Sequence, residues 1–522
     1  MTRLFKLRNL VSDIVLRRPH ACHVERRLQS PSFVNHGPRW IRNISTTSKC
    51  FKKEDDDDFV EVPRPKRPID EPFERAVKIF THDIRSIYDK TQPPLLDFSA
   101  HVDILVIGGG ILGSAIAYFI KERTPRTGVS LMVVDKDQSF SKSATAMSVG
   151  GLRHHFTLKE NVEMARYGAE FLRTVPQKLA CDGSPPPDIQ YHPYGFLQLA
   201  DVDQAQELQE SFLIQKELGC HVELLTSERL KDKFPWINTD GVELACLGME
   251  SEGWFDAWAL HFGLKRKSVF HGAEYVQAEV VGFDFEESTT VVAGADAFDR
   301  HEKAQRAILK TPSGEMKTVD FAYCIIAAGH ESGNIAEMAR MGRREGMMSV
   351  PLPVEPRRRH VYCIHAPNGP GIDCPFVADT SGIYFRREGY AGHFVTGKAG
   401  PVSDDPKVVA NLEVDYNYFN DTIMPALAHR VPGFNNVKLN SAWTGLYDYN
   451  TFDQSGIIGP HNHQPHMYFA CGFSGHGIQQ APAVARATME LLLDGEFRTL
   501  DLSRIHFERF LVGKEIKETI VN

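Results

Sequence analysis

An α/β fold organised around a parallel dinucleotide-binding sheet is predicted by three features of this 522-residue sequence. A buried-strand pattern runs through a glycine-rich turn into a helix pattern, an acidic residue closes the next strand, and strand-rich stretches alternate with later helix patterns. Residues 103–113, Asp-Ile-Leu-Val-Ile-Gly-Gly-Gly-Ile-Leu-Gly, set Gly108, Gly110 and Gly113 between strand and helix. The first glycine permits the tight turn, the second lets backbone approach a pyrophosphate, and the third lets helix pack on strand. The helix N-terminus then directs unpaired N–H groups at phosphate. Twenty-two residues beyond Gly113, the run Leu-Met-Val-Val ends in Asp135. A carboxylate there accepts the ribose hydroxyls and repels a 2′-phosphate, which leaves FAD or NAD and excludes NADP.

Residues 104–120 contain no charge over seventeen positions, close to the length of a membrane span. Three consecutive glycines and the flanking Asp103 and Lys121 favour strand, turn and helix instead, so no transmembrane segment is expected. At this length, with 42% hydrophobic residues, two to three domains can form. A net charge of −8 argues against a nucleic-acid partner. Nine cysteines, scattered and without a Cys-x-x-Cys pair, point to a reducing compartment rather than a disulfide framework.

The first fifty residues hold Arg3, Lys6, Arg8, Arg17, Arg18, Arg26, Arg27, Arg39 and Arg42 against only Asp13 and Glu25. That composition, with Leu4, Leu7, Val11 and Ile14 at helical spacing, predicts a mitochondrial transit peptide over 1–50, the alternative being a disordered basic arm. Charge inverts at Glu54-Asp55-Asp56-Asp57-Asp58, and Pro63, Pro65 and Pro68 follow, so 51–99 reads as an acidic, proline-spaced linker. It ends in a short helix near 70–90.

Five further segments carry a family resemblance. They are Ser143-Ala-Thr-Ala-Met-Ser-Val-Gly-Gly-Leu-Arg153, Gly253-Trp-Phe-Asp256, Tyr323-Cys-Ile-Ile-Ala-Ala-Gly329, Tyr447-Asp-Tyr-Asn-Thr-Phe-Asp453 and Ala470-Cys-Gly-Phe-Ser-Gly-His-Gly-Ile478. In this order, from about residue 100 to 510, the chain resembles the D-amino-acid oxidase-type flavoproteins, particularly their sarcosine and dimethylglycine dehydrogenase branch. The resemblance implies a two-domain flavoprotein, with a Rossmann-like FAD domain over 100–186, 250–345 and 441–510 and a mostly antiparallel β substrate domain over 187–249 and 346–440. It implies FAD contacts at Ser143, Ser148, Gly150, Gly151, Gly329, Asp453, Gly472, Gly475 and Gly477, beside Gly108, Gly110, Gly113 and Asp135. Gly472, Gly475 and Gly477 also permit close backbone approach, and Pro482 suits the first turn of a helix reaching residue 494, whose positive end would face the flavin.

The same resemblance implies catalytic positions. Arg153 falls where relatives hold a substrate carboxylate, and Tyr384 on the strand Gly382-Ile-Tyr-Phe-Arg386 falls on the substrate face. Gln479 replaces a lysine that completes the carboxylate clamp in relatives, leaving half of it uncharged. Neither the histidine near Ser148 nor the cysteine near Gly445 that would attach flavin covalently is present, so FAD is expected to bind noncovalently. Val395 takes the place of an oxygen-activating lysine, which implies poor reaction with oxygen. Within the family the chain most resembles a mitochondrial branch that supports assembly of respiratory complex I. That implies complex I subunits or assembly intermediates as partners and a location on the matrix side of the inner membrane. A working dehydrogenase of an N-methylated amino acid is the alternative.

Other features read as structural. The charged stretch 284–318 is expected to be a solvated insertion between strands, Arg357-Arg358-Arg359-His360 a solvated basic face with contact at the active-site mouth as the alternative, and His154-His155 polar contacts beside Arg153 with tuning of substrate ionisation as the alternative. His461, His463 and His466 lie in a turn without ligand-spaced partners, so no metal site is expected.

Overall fold

The computed structural model describes residues 98–126, 128–288, 301–399 and 412–520. The transit-peptide, linker and 70–90 helix expectations therefore lie outside the described residues. Two eight-stranded sheets dominate. The first is built on β1 (His101–Ile107), with β2 (Leu131–Asp135) and β8 (Glu274–Gln277) parallel on one side. On the other side lie β11 (Met316–Ile326) and β18 (Met467–Cys471), also parallel, and then antiparallel β17 (Ile457–Pro460).

Alternation along β1 sends Ile104 and Val106 to one face and Leu105 and Ile107 to the other, and both faces are covered. The first face packs against α1 (Ile111–Arg123), α2 (Lys159–Arg173), α4 (Ala257–Phe270) and α5 (Gly477–Asp494). None of the helices among the described residues is long and apolar enough to cross a membrane. The apolar run 104–120 is divided between β1 and α1, whose burial accounts for its composition.

The opposite face is covered by an antiparallel meander in which β9 (Glu279–Ser288) pairs with β10 (His301–Lys310) and β10 with β11. Over 284–288 and 301–318 this corrects the expectation of a solvated insertion, while residues 289–300 lie outside the described residues. Val280, Phe283, Ala304, Ala307, Leu309 and Val319 face inward while charged residues between them face outward; bulges in the β9–β10 ladder set Val280 and Phe283, and Ala304 and Ala307, three residues apart, so no unbroken period of two marked these strands.

The second sheet runs β16 (Lys438–Asn450), β12 (Val354–His365), β15 (His393–Lys398), β14 (Ile383–Glu388), β13 (Phe376–Ala378), β4 (Phe196–Ala200), β6 (Leu244–Gly248) and β5 (Val222–Thr226). Only β13 and β4 pair in parallel. The sheet's outer layer includes α3 (Ala205–Glu217), and β12 and β16 pair from Val354↔Asn450 to His365↔Lys438. That continuous pairing takes the antiparallel sheet past the expected boundary at residue 440. A two-stranded ribbon, β3 (Gly151–Leu152) with β7 (Gly253–Trp254), completes the pairing.

One helix boundary also departs from expectation. α5 begins at Gly477, which puts Pro482 inside the helix rather than in its first turn. The proline forfeits one backbone bond to the preceding turn, a cost offset by burial of the helix along most of its length.

Candidate active site

A cavity of about 650 Å³ opens at the C-terminal edge of the parallel sheet and runs beneath the antiparallel one. Parallel α/β sheets place ligand crevices at this edge because helix N-termini and flexible turns converge there. Gly108 adopts φ +100°, and a Cβ on it would overlap the Ala327 carbonyl oxygen. A Cβ on Gly113 would overlap the Gly108 carbonyl, so Gly113 permits the helix to sit on the turn without itself lining the cavity. Gly110 differs: the nearest atom to its Cβ would be Thr145 Oγ1 at 3.6 Å, so its missing side chain leaves space on the cavity side.

Asp135 ends β2 with Oδ2 accepting from Gly109 N–H at 2.7 Å and Oδ1 from Asp137 N–H at 2.8 Å. Burial raises its pKa and those N–H groups oppose the rise. Each carboxylate oxygen keeps acceptor capacity for a ribose hydroxyl. Thr145 Oγ1 accepts the Ile111 N–H at 3.1 Å, occupying one free donor of α1 and leaving others for phosphate. The missing Cβ at Gly110 and the acid at Asp135 fit the two ends of an adenosine pyrophosphate.

Ser143, Ser148, Gly151, Gly329, Gly475 and Gly477 all line the cavity. The Ser143 hydroxyl accepts from Ala146 N–H and the Ser148 hydroxyl from Gly150 N–H, both at 3.2 Å, so each also shapes its own loop. Besides Gly113, three expected contacts lie elsewhere. Gly150 is required at φ +74° because a Cβ would overlap the Phe255 carbonyl; it seats the loop on β7. Gly472 donates its N–H to Asp448 Oδ2 at 2.6 Å and packs toward Val354. Asp453 is sealed in the interior against Arg509. The acid of that motif on the cavity is Asp448, which accepts from both Gly472 and Phe473 N–H groups and so fixes the turn leading into α5.

Under the antiparallel sheet the cavity is lined by Arg153, Arg359, Tyr384, His476 and Gln479, with the rings of Phe196 and Phe376. Phe196 and Phe376 stack at 4.8 Å, and Tyr384 continues the series at 5.8 Å from Phe376. Burial pushes the Tyr384 phenol up to about 12, with Arg359 and Arg386 opposing, so it stays protonated. Arg153 is buried; burial lowers it to about 10, while Glu518 and Glu252 act in the other direction. At that value it remains a cation at neutral pH. Its Nη1 is buried without a hydrogen-bond partner among the described residues, an arrangement that suits an anionic ligand.

From sequence alone Arg359 reads as part of a solvated face, and His476 carries no role of its own. Arg359 on β12 lines the cavity with its guanidinium 4.5 Å from the Tyr447 ring centroid, which corrects the view of 357–360 as a solvated face. Its strand alternates, so Arg359 points to the cavity while Arg358 and His360 are buried on the other side of β12. A second cation thus stands where the missing lysine suggested half a clamp. Gln479 instead uses Oε1 to accept the Arg153 backbone N–H at 2.8 Å. His476, at the start of α5, is held well below its ordinary pKa by burial and by the charges of Arg153 and Arg359, so its imidazole is neutral. The surrounding Gly-Phe-Ser-Gly-His-Gly sequence was the available signal for it.

Val395 lies farther along β15, opposite Cys363 and Arg386, and it is Ala399 that lines the cavity. Gly397 leaves room for the Tyr384 hydroxyl above it. His154 and His155 pair with buried Glu252, at 3.4 and 3.1 Å. His461 Nδ1 accepts from His463 and Gln464 N–H groups, closing the turn between β17 and β18.

Comparison with known proteins agrees with this geometry. Residues 103–491 match the family described as DAO, FAD dependent oxidoreductase. The "FAD-dependent oxidoreductase domain-containing protein 1" of Bos taurus is 43% identical over 419 residues, covering 80% of this chain and 86% of that protein. The protein of the same name from Xenopus laevis is 38% identical, covering 90% of this chain and 93% of that one. Among solved structures, L-proline dehydrogenase from P. horikoshii shares the fold, with a TM-score of 0.65 at 22% identity over 80% of this chain and all of that chain. The chain belongs to the DAO family of FAD-dependent oxidoreductases.

Proposed function

We propose that this chain uses noncovalently held FAD to dehydrogenate a small amine that carries a carboxylate, of the N-methylated amino-acid class. The observation that carries the reading is the Arg153 Nη1, buried and without a hydrogen-bond partner among the described residues, in one cavity with the Arg359 guanidinium. Gly108, Gly110 and Asp135 would hold the adenosine and pyrophosphate, and Gly329, Gly475 and Gly477 would border the ring system. Noncovalent attachment is supported at Gly445, where a side chain would run into Met147 Cβ at 2.7 Å, and by serine at 148. When bound, FAD supplies a two-electron acceptor for the hydrogen on the carbon next to nitrogen.

The protein's own residues orient and deprotonate. Arg153 and Arg359 bind the carboxylate and fix which carbon enters the cavity. The neighbouring guanidinium charges disfavour a further cation, so they keep His476 neutral and favour the substrate amine in its neutral form, which the imidazole can meet with a hydrogen bond. Phe196, Phe376 and Tyr384 exclude water from the reacting carbon. Anaerobic mixing of FAD-loaded protein with a panel of N-methyl amino acids should bleach the flavin absorbance with at least one of them. No bleaching across the panel would overturn the reading.

A second reading is a role in assembly or stability of respiratory complex I in the mitochondrial matrix. It is supported by the basic, acid-poor residues 1–50 and by the resemblance described from the sequence. Cells lacking the protein should lose assembled complex I and regain it with the wild-type chain. Recovery with Arg153→Ala as well would separate the assembly role from turnover.

A further inference from the structure

The end of the described chain, residues 512–520, forms neither helix nor strand, yet it is buried at alternate positions: Ile516, Glu518 and Ile520 are 5, 1 and 6% exposed. Side chains from three distant places hold it. Ile516 N–H donates to Asp453 Oδ2 at 3.2 Å, and its carbonyl accepts from Ser455 Oγ at 2.6 Å. Two residues later the Glu518 carboxylate accepts from Thr157 N–H at 2.8 Å, Thr157 Oγ1 at 2.7 Å, Leu158 N–H at 3.2 Å and Asn161 Nδ2 at 2.9 Å.

This is the N-terminus of α2, whose own N-cap residue, Leu158, has no side chain able to cap it. A residue 360 positions away instead accepts from the backbone N–H groups of the N-cap and of the residue before it, and places a negative charge at the positive end of the helix. Two residues further, the Ile520 carbonyl accepts from Arg153 Nη2 at 3.1 Å. Phe156 and Phe196 flank the same guanidinium at 4.9 and 5.8 Å from their centroids.

A guanidinium has five N–H donors in a rigid plane, so fixing one nitrogen sets the direction of the rest. The Ile520 carbonyl uses Nη2 and leaves Nη1, buried and unpartnered among the described residues, on the cavity that Arg153 lines. We propose that the strap of residues 516–520 is a positioning element of the substrate site. It holds the Arg153 guanidinium through the Ile520 carbonyl, with Glu518 locking the strap onto α2, so that Nη1 is presented to a substrate carboxylate. The proposal rests on the reading of Arg153 as the carboxylate anchor. The strap itself touches no reacting atom.

The test uses the FAD-loaded full chain, a truncation lacking 518–522, and the milder variant Glu518→Gln. The truncation keeps Ile516, which is tied to Asp453, and Glu518→Gln keeps the whole strap. Two quantities are read: the affinity for N-methylglycine against its uncharged amide, from perturbation of the flavin spectrum, and the rate at which phenylglyoxal modifies Arg153, from peptide mass analysis. The expected result for the truncation is a loss on the order of tenfold for the acid, little change for the amide, and faster Arg153 modification. Glu518→Gln should move both readouts the same way by less.

Retained flavin with an unchanged acid-to-amide ratio and an unchanged Arg153 modification rate overturns the strap's role. If the wild-type chain itself fails to distinguish acid from amide, the carboxylate-anchor reading falls and the proposed positioning falls with it. Faster Arg153 modification in the truncation would then show only that the strap shields this side chain.

Discussion

Arg509 grips Asp453 with two donors, Nε to Oδ2 at 2.7 Å and Nη2 to Oδ1 at 3.0 Å, in an interior where the two side chains are 4% and 0% exposed. The same carboxylate accepts from Asn450 Nδ2 and from the Ser455 and Ile516 N–H groups, so it ties β16, the turn after it and the chain's last segment to one point.

Asp453→Ala leaves the Arg509 charge buried without its partner, which should cost about 3–5 kcal/mol of stability. Thermal denaturation of the variant checks this. A melting temperature equal to that of wild type would show the pair to be structurally idle.

Gly108→Ala and Gly110→Ala should fail in different ways. The first forces a Cβ into the Ala327 carbonyl at a positive φ and should lower folding stability, read as a lower melting temperature without added cofactor. The second meets no atom closer than 3.6 Å and should fold normally. Its methyl group intrudes where the pyrophosphate would lie, so retained flavin should fall sharply at unchanged apoprotein stability.

The Glu252 cluster predicts a pH dependence with two limbs. Burial raises the Glu252 carboxyl, but His155 and His154 override it and bring the pKa down to about 2. Burial lowers His154, but the Glu252 charge wins and lifts it to about 9. The Glu252 contribution is present above its unfolded pKa near 4.5 and is lost as pH falls toward 2. The His154 contribution is present below 6.5 and is lost as pH climbs through 9. Urea unfolding of wild type and Glu252→Gln across this range should give a stability difference that is largest between roughly pH 4.5 and 6.5 and narrows on both sides. A difference that stays constant with pH would refute the assignment.

Arg359→Met removes one of two cations around His476 while keeping an unbranched side chain over Tyr447. Affinity for a carboxylate ligand should fall by roughly tenfold to a hundredfold, in line with loss of a charge-assisted hydrogen bond. The acidic limb of any turnover profile set by His476 should also move toward higher pH, because a positive neighbour no longer opposes its protonation. Unchanged affinity together with an unmoved pH profile would place Arg359 outside the reaction.

The cradle was legible because its physics is local. Gly108, Gly110, Gly113 and Asp135 fall within 28 residues and each answers to a steric or hydrogen-bonding need of one strand-turn-helix unit. Arg359, Glu252 and Glu518 answer to partners 88 to 361 residues away, and no periodicity in the sequence announces them. Asp448 and Asp453 show the same limit within one motif. Both are acids in Tyr447–Asp453, but only the three-dimensional path of β16 and its following turn sends one to the cavity and the other to Arg509. The strands β9 and β10 were obscured for a different reason, since alternating charge on the outward face made an amphipathic ribbon look like solvated chain.

The order of strands in the parallel sheet bears on biosynthesis. β1 leaves the translation machinery first, yet its neighbour β11 follows some two hundred residues later, and β18 with the turn into α5 follows more than three hundred residues later. Folding rates fall as such distant pairings accumulate. The nascent polypeptide therefore cannot close its coenzyme cleft until the segment that leads into α5 has emerged, so stable loading with flavin has to follow synthesis of that segment.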